Sequence, residues 1–264
     1  LKDMLKYGFP LVIHGIGWII ITASDKYILK EFSNLGQVGV YSVGYTMGYG
    51  VMIVVSAFSN AWPQMMFSYK SEESAGKFFG KTLTYYFAIM GLIWMGIALF
   101  SEEIVMLMTQ EMFWDAYKVI PFVALAYIIH GAFIITSSGI YTKEKTHIEF
   151  ILTPITVGFC LIINYFFISR WGMMGASWAT LINFSIQFIL YSIIANNYIS
   201  INIEWGSLLK IFATIFILVF FSTYLQNSQY WIKIILKIFI FILTLVLYYS
   251  RYFFKKEIRF FIDN

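Results

Sequence analysis

The sequence predicts an all-α polytopic transmembrane helix bundle with about eight spanning helices, and three observations carry that expectation. Of 264 residues, 60% are hydrophobic and only 12% are charged. The apolar residues come in blocks of about twenty, the length that crosses a bilayer as a helix. No stretch shows the roughly ten-residue alternation of a membrane barrel strand. A soluble helical protein of this size needs a polar face on most helices, and few segments here have one.

Segments of spanning length lie at about 8–24, 37–67, 81–100, 119–140, 149–168, 174–196, 207–225 and 230–250. In the first, Lys2 and Lys6 precede an apolar run that Pro10 interrupts and Asp25 and Lys26 end. Without a small-residue cleavage site this reads as a spanning helix, not a signal peptide. The second carries no charge between Glu31 and Lys70. It is too long for one crossing at ~1.5 Å per residue, so one end is expected to project into water. Pro63 and Pro154 fall inside spans, where they kink helices and neighbours satisfy the freed carbonyls. The short connection "SRWGMMGA" (169–176) makes the fifth and sixth spans antiparallel neighbours. The last two spans are nearly free of polar residues and are lipid-compatible.

Orientation follows from Lys and Arg. Twelve fall on the side of the N-terminus, among them Lys77, Lys81, Lys143 and Lys145, and six on the opposite side, among them Lys26, Lys118 and Arg170. Both termini are therefore expected in the cytoplasm. The net charge of +4 does not suggest nucleic acid, because the basic residues are scattered singly between apolar spans. The lone Cys160 excludes a disulfide or thiol metal site, and no phosphate loop or H-E-x-x-H helix is present. Neither a cofactor, nor a metal, nor enzymatic chemistry is expected.

Polar residues at membrane depth are costly and usually face a bundle interior or a water-filled cavity. In the first span His14, Trp18, Thr22 and Asp25 follow at i, i+4, i+8 and i+11, a stripe that reads as a cavity wall with an ion-coupling site at Asp25, beside Lys26. The alternative is that Asp25 and Lys26 mark the interface and His14 has a packing partner. A second stripe crosses the fourth span through Tyr127, His130, Ile134, Ser137 and Tyr141. Asn164 and Asn183 either reach substrate or bond across helices. In "VYSVGYTMGYGV" (40–51), Gly44 and Gly48 form a small-xxx-small pair for close helix approach. Tyr41, Tyr45 and Tyr49 border that contact, spread over ~12 Å. Ring faces with hydroxyl tips suit a surface that meets sugars or headgroups.

The order of residues in "YGFPLVIHGIGWIIITASDKYILKEFSNLGQVGVYSVGYTMG" (7–48) resembles the start of the second half of polysaccharide flippases in the multidrug/oligosaccharidyl-lipid/polysaccharide exporter superfamily. The block "LIINYFFISRWGMMGASWATLI" (161–182) resembles that family's late Asn-containing helix, Gly turn and Gly-Ala-x-x-Ala-Thr helix. "AWPQMM" (61–66) and "GIYTKEKT" (139–146) fit weaker signatures between them. Where the family usually places a Pro in the late turn, this chain reads Ile168, Ser169, Arg170, Trp171 and Gly172.

The resemblance implies that residues 1–196 are a six-helix C-terminal lobe and 197–264 two additional helices with a basic tail. It implies a missing N-terminal lobe, which also accounts for the absent initiator Met. It further implies a bacterial inner-membrane protein that flips an undecaprenyl-pyrophosphate-linked oligosaccharide, such as an O-antigen or capsule repeat unit, by alternating access. Coupling would be to Na+ or H+, with the lipid-linked oligosaccharide and membrane lipids as partners. A multidrug exporter of the same superfamily is the alternative. A membrane enzyme acting on lipid-linked sugars, a polymerase or acyltransferase, is a more distant one, since the longest outside loop, "SEEIVMLMTQEMFWDAYK" (101–118), is short.

Overall fold

The computed structural model describes residues 2–68, 71–224 and 230–248; Lys70 and the basic tail from Arg251 to Arg259 lie outside the described residues. Among the described residues the chain is helical, with no strand. The helices are α1 (Lys2–Phe32), α2 (Leu35–Tyr49), α3 (Met52–Met66), α4 (Glu72–Met108), α5 (Ile120–Thr136), α6 (Ser138–Thr142), α7 (Glu149–Ala195), α8 (Trp205–Tyr224) and α9 (Tyr230–Tyr248). A 3-10 helix over Glu111–Lys118 leads into α5. Four of these helices are individually long and apolar enough to cross a membrane, and the bent pair α2–α3 makes a fifth. Large apolar side chains such as Ile16, Ile19, Ile162, Ile189 and Ile193 stand exposed on the outer surface. Lipid covers such a surface at no cost, whereas water does not. This is a multi-pass membrane protein.

Two elements differ from the expectation. The charge-free second segment is not one continuous helix: it breaks between Tyr49 and Met52 and bends by 43°. Asn34 starts α2 by accepting a hydrogen bond from the Gln37 amide at 2.9 Å. The first helix does not stop at Asp25 and Lys26 but continues to Phe32. A charged pair ends a helix only if the backbone prefers to leave there, and nothing in "SDKYILKEF" breaks helical geometry.

The 47-residue α7 is a hairpin. Gly172, at φ 52 and ψ −130, turns the chain in a conformation open essentially to glycine alone. A side chain at Gly175 would strike the Phe167 carbonyl on the other limb. At the far end the Tyr191 hydroxyl donates to Glu149 at 2.6 Å, so the two limbs, 149–171 and 173–195, lie antiparallel. The first limb packs mainly on α1 and both on the bundle around α5.

The hairpin gives the bundle two ends. At the tip, Gly172 faces Ser33 and Gln37, and Gly39 faces Phe113. At the mouth, Lys143 pairs with Glu72, and the Asn202 amide donates to the Gly76 carbonyl at 3.2 Å. Trp62 Nε1 donates to Ser138 Oγ at 2.8 Å and Trp94 Nε1 to the Pro121 carbonyl at 2.7 Å, tying α3 and α4 to α5 and α6. Outside this bundle α8 lies along α4, and α9 docks on α4 through a Lys237–Glu103 ion pair at 2.6 Å that is largely buried. A buried charge is tolerated when paired in this way.

Candidate transport site

Tyr45, Tyr49 and Thr46 of α2 face Trp18, Thr22 and Lys26 of α1 and Tyr127 of α5 around a cleft of about 280 Å³ on the tip side. Gly44 and Gly48 set how near α2 comes to the core. A Cβ at Gly44 would lie 2.6 Å from the Ala116 carbonyl and 2.8 Å from Val119 Cβ, and one at Gly48 2.9 Å from Val123 Cβ. Without those methyls α2 seats against the 3-10 helix and α5, and its tyrosines reach inward. The Tyr45 and Tyr127 hydroxyls share a hydrogen bond, and Tyr49 meets the Tyr127 ring edge-on at 4.8 Å. Lys26 Nζ sits 4.5 Å from the Tyr45 ring centroid, and among the described residues no carboxylate pairs with it. The cleft therefore offers ring faces, hydroxyls and one cation.

Asp25 does not line this cleft. It is 1% exposed and stands behind the tyrosine row, accepting from the Tyr41 hydroxyl at 2.5 Å and from the Lys26 amide at 2.7 Å. Adjacent positions on a helix point about 100° apart, so Lys26 faces the cleft while Asp25 faces Tyr41. Next to it, Asn164 donates to Ser24 Oγ at 3.0 Å, so that Asn164 joins the two longest-packed helices and stays outside the cleft. Thr22 donates to its own helix, to the Trp18 carbonyl, at 2.9 Å. Asn183 is buried with neither side-chain atom paired.

A wall of rings closes the tip-side cleft below. Trp18 lies 4.3 Å from His130, and Phe184 lies 5.7 Å from the first and 5.3 Å from the second. Beyond it, on the mouth side, a cleft of about 430 Å³ is lined by His14, His130, Ser137 and Tyr141 with Trp62, Met66 and Phe133 among its apolar walls. The stripe that the sequence draws as one wall is thus divided: His14 serves the mouth-side cleft, Trp18 the partition, Thr22 and Lys26 the tip-side cleft, and Asp25 the space behind. A helical stripe about 100° wide touches more than one neighbour, so periodicity alone does not assign it to a single space.

Glu149 is the residue the sequence reading missed. It is 0% exposed and accepts from Tyr191 at 2.6 Å, Tyr141 at 2.8 Å and Thr153 at 3.0 Å, with His14 Nδ1 at 3.1 Å from the same carboxylate. Read linearly, it is one acid of a polar loop at a helix start, where acids are common. Its burial depends on Tyr191, 42 positions later, and on α1. The available signal is weak: Glu149 and Thr153 lie four apart, which points both at one neighbour.

No family model matches the chain. In sequence it is similar to the probable low-salt glycan biosynthesis flippase Agl15 of Haloferax volcanii, 22% identical over 210 residues, which is 78% of this chain and 44% of that protein. In structure it is similar to the lipid II flippase MurJ in an inward closed conformation, with a TM-score of 0.59, 17% identity, and coverage of 94% of this chain and 52% of that one. The chain spans about half the length of each protein it matches, and its fold is that of the matching half of a MurJ-like helical bundle.

Proposed function

We propose that this chain is one lobe of a bacterial inner-membrane transporter. In this reading it moves an undecaprenyl-pyrophosphate-linked oligosaccharide from the cytoplasmic to the outer leaflet by alternating access against a second lobe, with coupling to Na+ or H+. The observation that carries the reading is that the same chain resembles, over most of its length, one flippase in sequence and another in fold. The tip-side cleft supports it chemically. Aromatic faces with hydroxyl tips stack on and bond to sugar rings, and the Lys26 ammonium supplies a charge for a pyrophosphate. Two lobes rocking about a site near the midplane expose such a cleft to each side in turn.

The test uses the full-length protein in liposomes loaded with a fluorescent lipid-linked oligosaccharide. Movement between leaflets above the protein-free rate is expected, and Lys26→Ala should lower it about tenfold, the scale of one charge-assisted bond. No movement above the protein-free rate would sink the reading. Export of organic cations in place of the oligosaccharide would turn it into the multidrug alternative.

A further inference from the structure

We propose that Glu149 and His14 form a proton-binding site, distinct from Asp25, that loads and unloads through the mouth-side cleft. The pair is built from three elements. Glu149 begins α7, His14 lies about one turn past Pro10 in α1, and Tyr141 is in the last turn of α6. A carboxylate that is 0% exposed costs several kcal/mol to desolvate, and here one imidazole and three hydroxyls compensate. Only two members of the cluster, His14 and Tyr141, line the 430 Å³ cleft, and His14 is 24% exposed there. The imidazole thus bridges a wet cleft and a dry carboxylate. A proton arriving from the cleft binds the imidazole and passes along the 3.1 Å contact to Glu149 Oε2; on release it returns by the same two atoms.

The titratable groups facing the pair are Tyr141 from α6, Tyr191 from the second limb of α7, and His130 from α5, which meets Phe133 as His14 does. His147, two positions before Glu149, is exposed. None of these is a second carboxylate, so the cluster holds a single acid whose charge state sets the fit between α1 and the α7 hairpin. Asp25 lies eleven positions further along α1 on the other side of the ring partition, with its own donors. The two carboxylates are separate sites.

The site stands on this geometry, and only its use in transport rests on the flippase reading, so the test reads the proton and not transport. The full-length protein in lipid films is titrated between about pH 2 and 9 by infrared difference spectroscopy, following the carboxylic acid carbonyl band, which is clear of the amide bands. A band that rises on acidification, disappears in Glu149→Gln and persists in Asp25→Asn is expected. If Glu149→Gln does not fold, His14→Gln decides, because it leaves the carboxyl in place and removes a donor. The band should then appear at a pH roughly one unit higher. A band unchanged in Glu149→Gln, a midpoint unmoved in His14→Gln, or no pH-dependent band in the unmodified protein would overturn the site. Any of these results leaves flipping of lipid-linked sugars where the liposome assay puts it.

Discussion

Asp25 and Glu149 are two carboxylates in one bundle, and each was legible to a different degree. Asp25 announced itself by standing at helical spacing from His14, Trp18 and Thr22, but the spacing did not reveal that Tyr41 would cover it. Glu149 was hidden because its donors come from three separated places in the chain. Charge at Asp25 is removed and shape preserved by Asp25→Asn. In the full-length protein this should reduce transport at least tenfold while membrane abundance stays near normal, since a neutral amide still accepts from Tyr41. Immunoblotting of membranes beside the transport assay separates the two. Normal transport would leave Asp25 a packing residue; loss of the protein would make it structural. Tyr45→Ala removes a ring face of the tip-side cleft and its bond to Tyr127 but no charge, so a milder loss, about threefold to tenfold, is expected as a raised half-saturation concentration.

Helices were readable as apolar blocks, whereas their breaks were not. Within the described residues the eight segments fall mainly on helix, yet the sequence places the end of the first helix too early and does not show the 43° bend between α2 and α3. Bends are set by what the two halves pack on, and α2 sits on the 3-10 helix while α3 reaches Ser138. The hairpin turn was legible from its glycines and shortness. Gly172→Ala should cost about 1–3 kcal/mol, because a methyl is forced into φ 52 with ψ −130. Gly44→Ala should cost a similar amount, about 1–3 kcal/mol, by overpacking against the Ala116 carbonyl and Val119. Thermal unfolding in detergent checks both, and a midpoint equal to that of the unmodified protein would mean that the backbone relaxes freely there.

At the scale of the molecule, the structure gathers the end of α3, the start of α4 and the connections at 143–148 and 196–204 at the hairpin mouth, and those at 33–34 and 109–119 at the tip. Among the described residues, Lys77, Lys143 and Lys145 lie toward the mouth and Lys26, Lys30, Lys118 and Arg170 toward the tip. If the mouth is cytoplasmic, as the excess of Lys and Arg proposes, single cysteines at Ser71 and Lys145 resist an impermeant thiol reagent on intact cells, whereas one at Gln110 reacts. All three positions are exposed, so protection reports the membrane and not burial. Thr146 is unsuitable for the same purpose because it is buried. Labelling at Ser71 and Lys145 as strong as at Gln110 would refute the orientation.

The wall of rings between the clefts has a consequence for leakage. A carrier that wastes no gradient must stay watertight between its conformational steps, and a hydrophobic constriction does this by excluding water rather than by repelling ions. Trp18 touches His130, Phe184 and Tyr127. At roughly 0.5–1.5 kcal/mol per ring pair, parting all three costs about 2–4 kcal/mol, so thermal motion alone opens the seal for about one molecule in thirty to one in a thousand. On the transporter reading proposed above, such a seal keeps water out at rest and a bound ligand can part it.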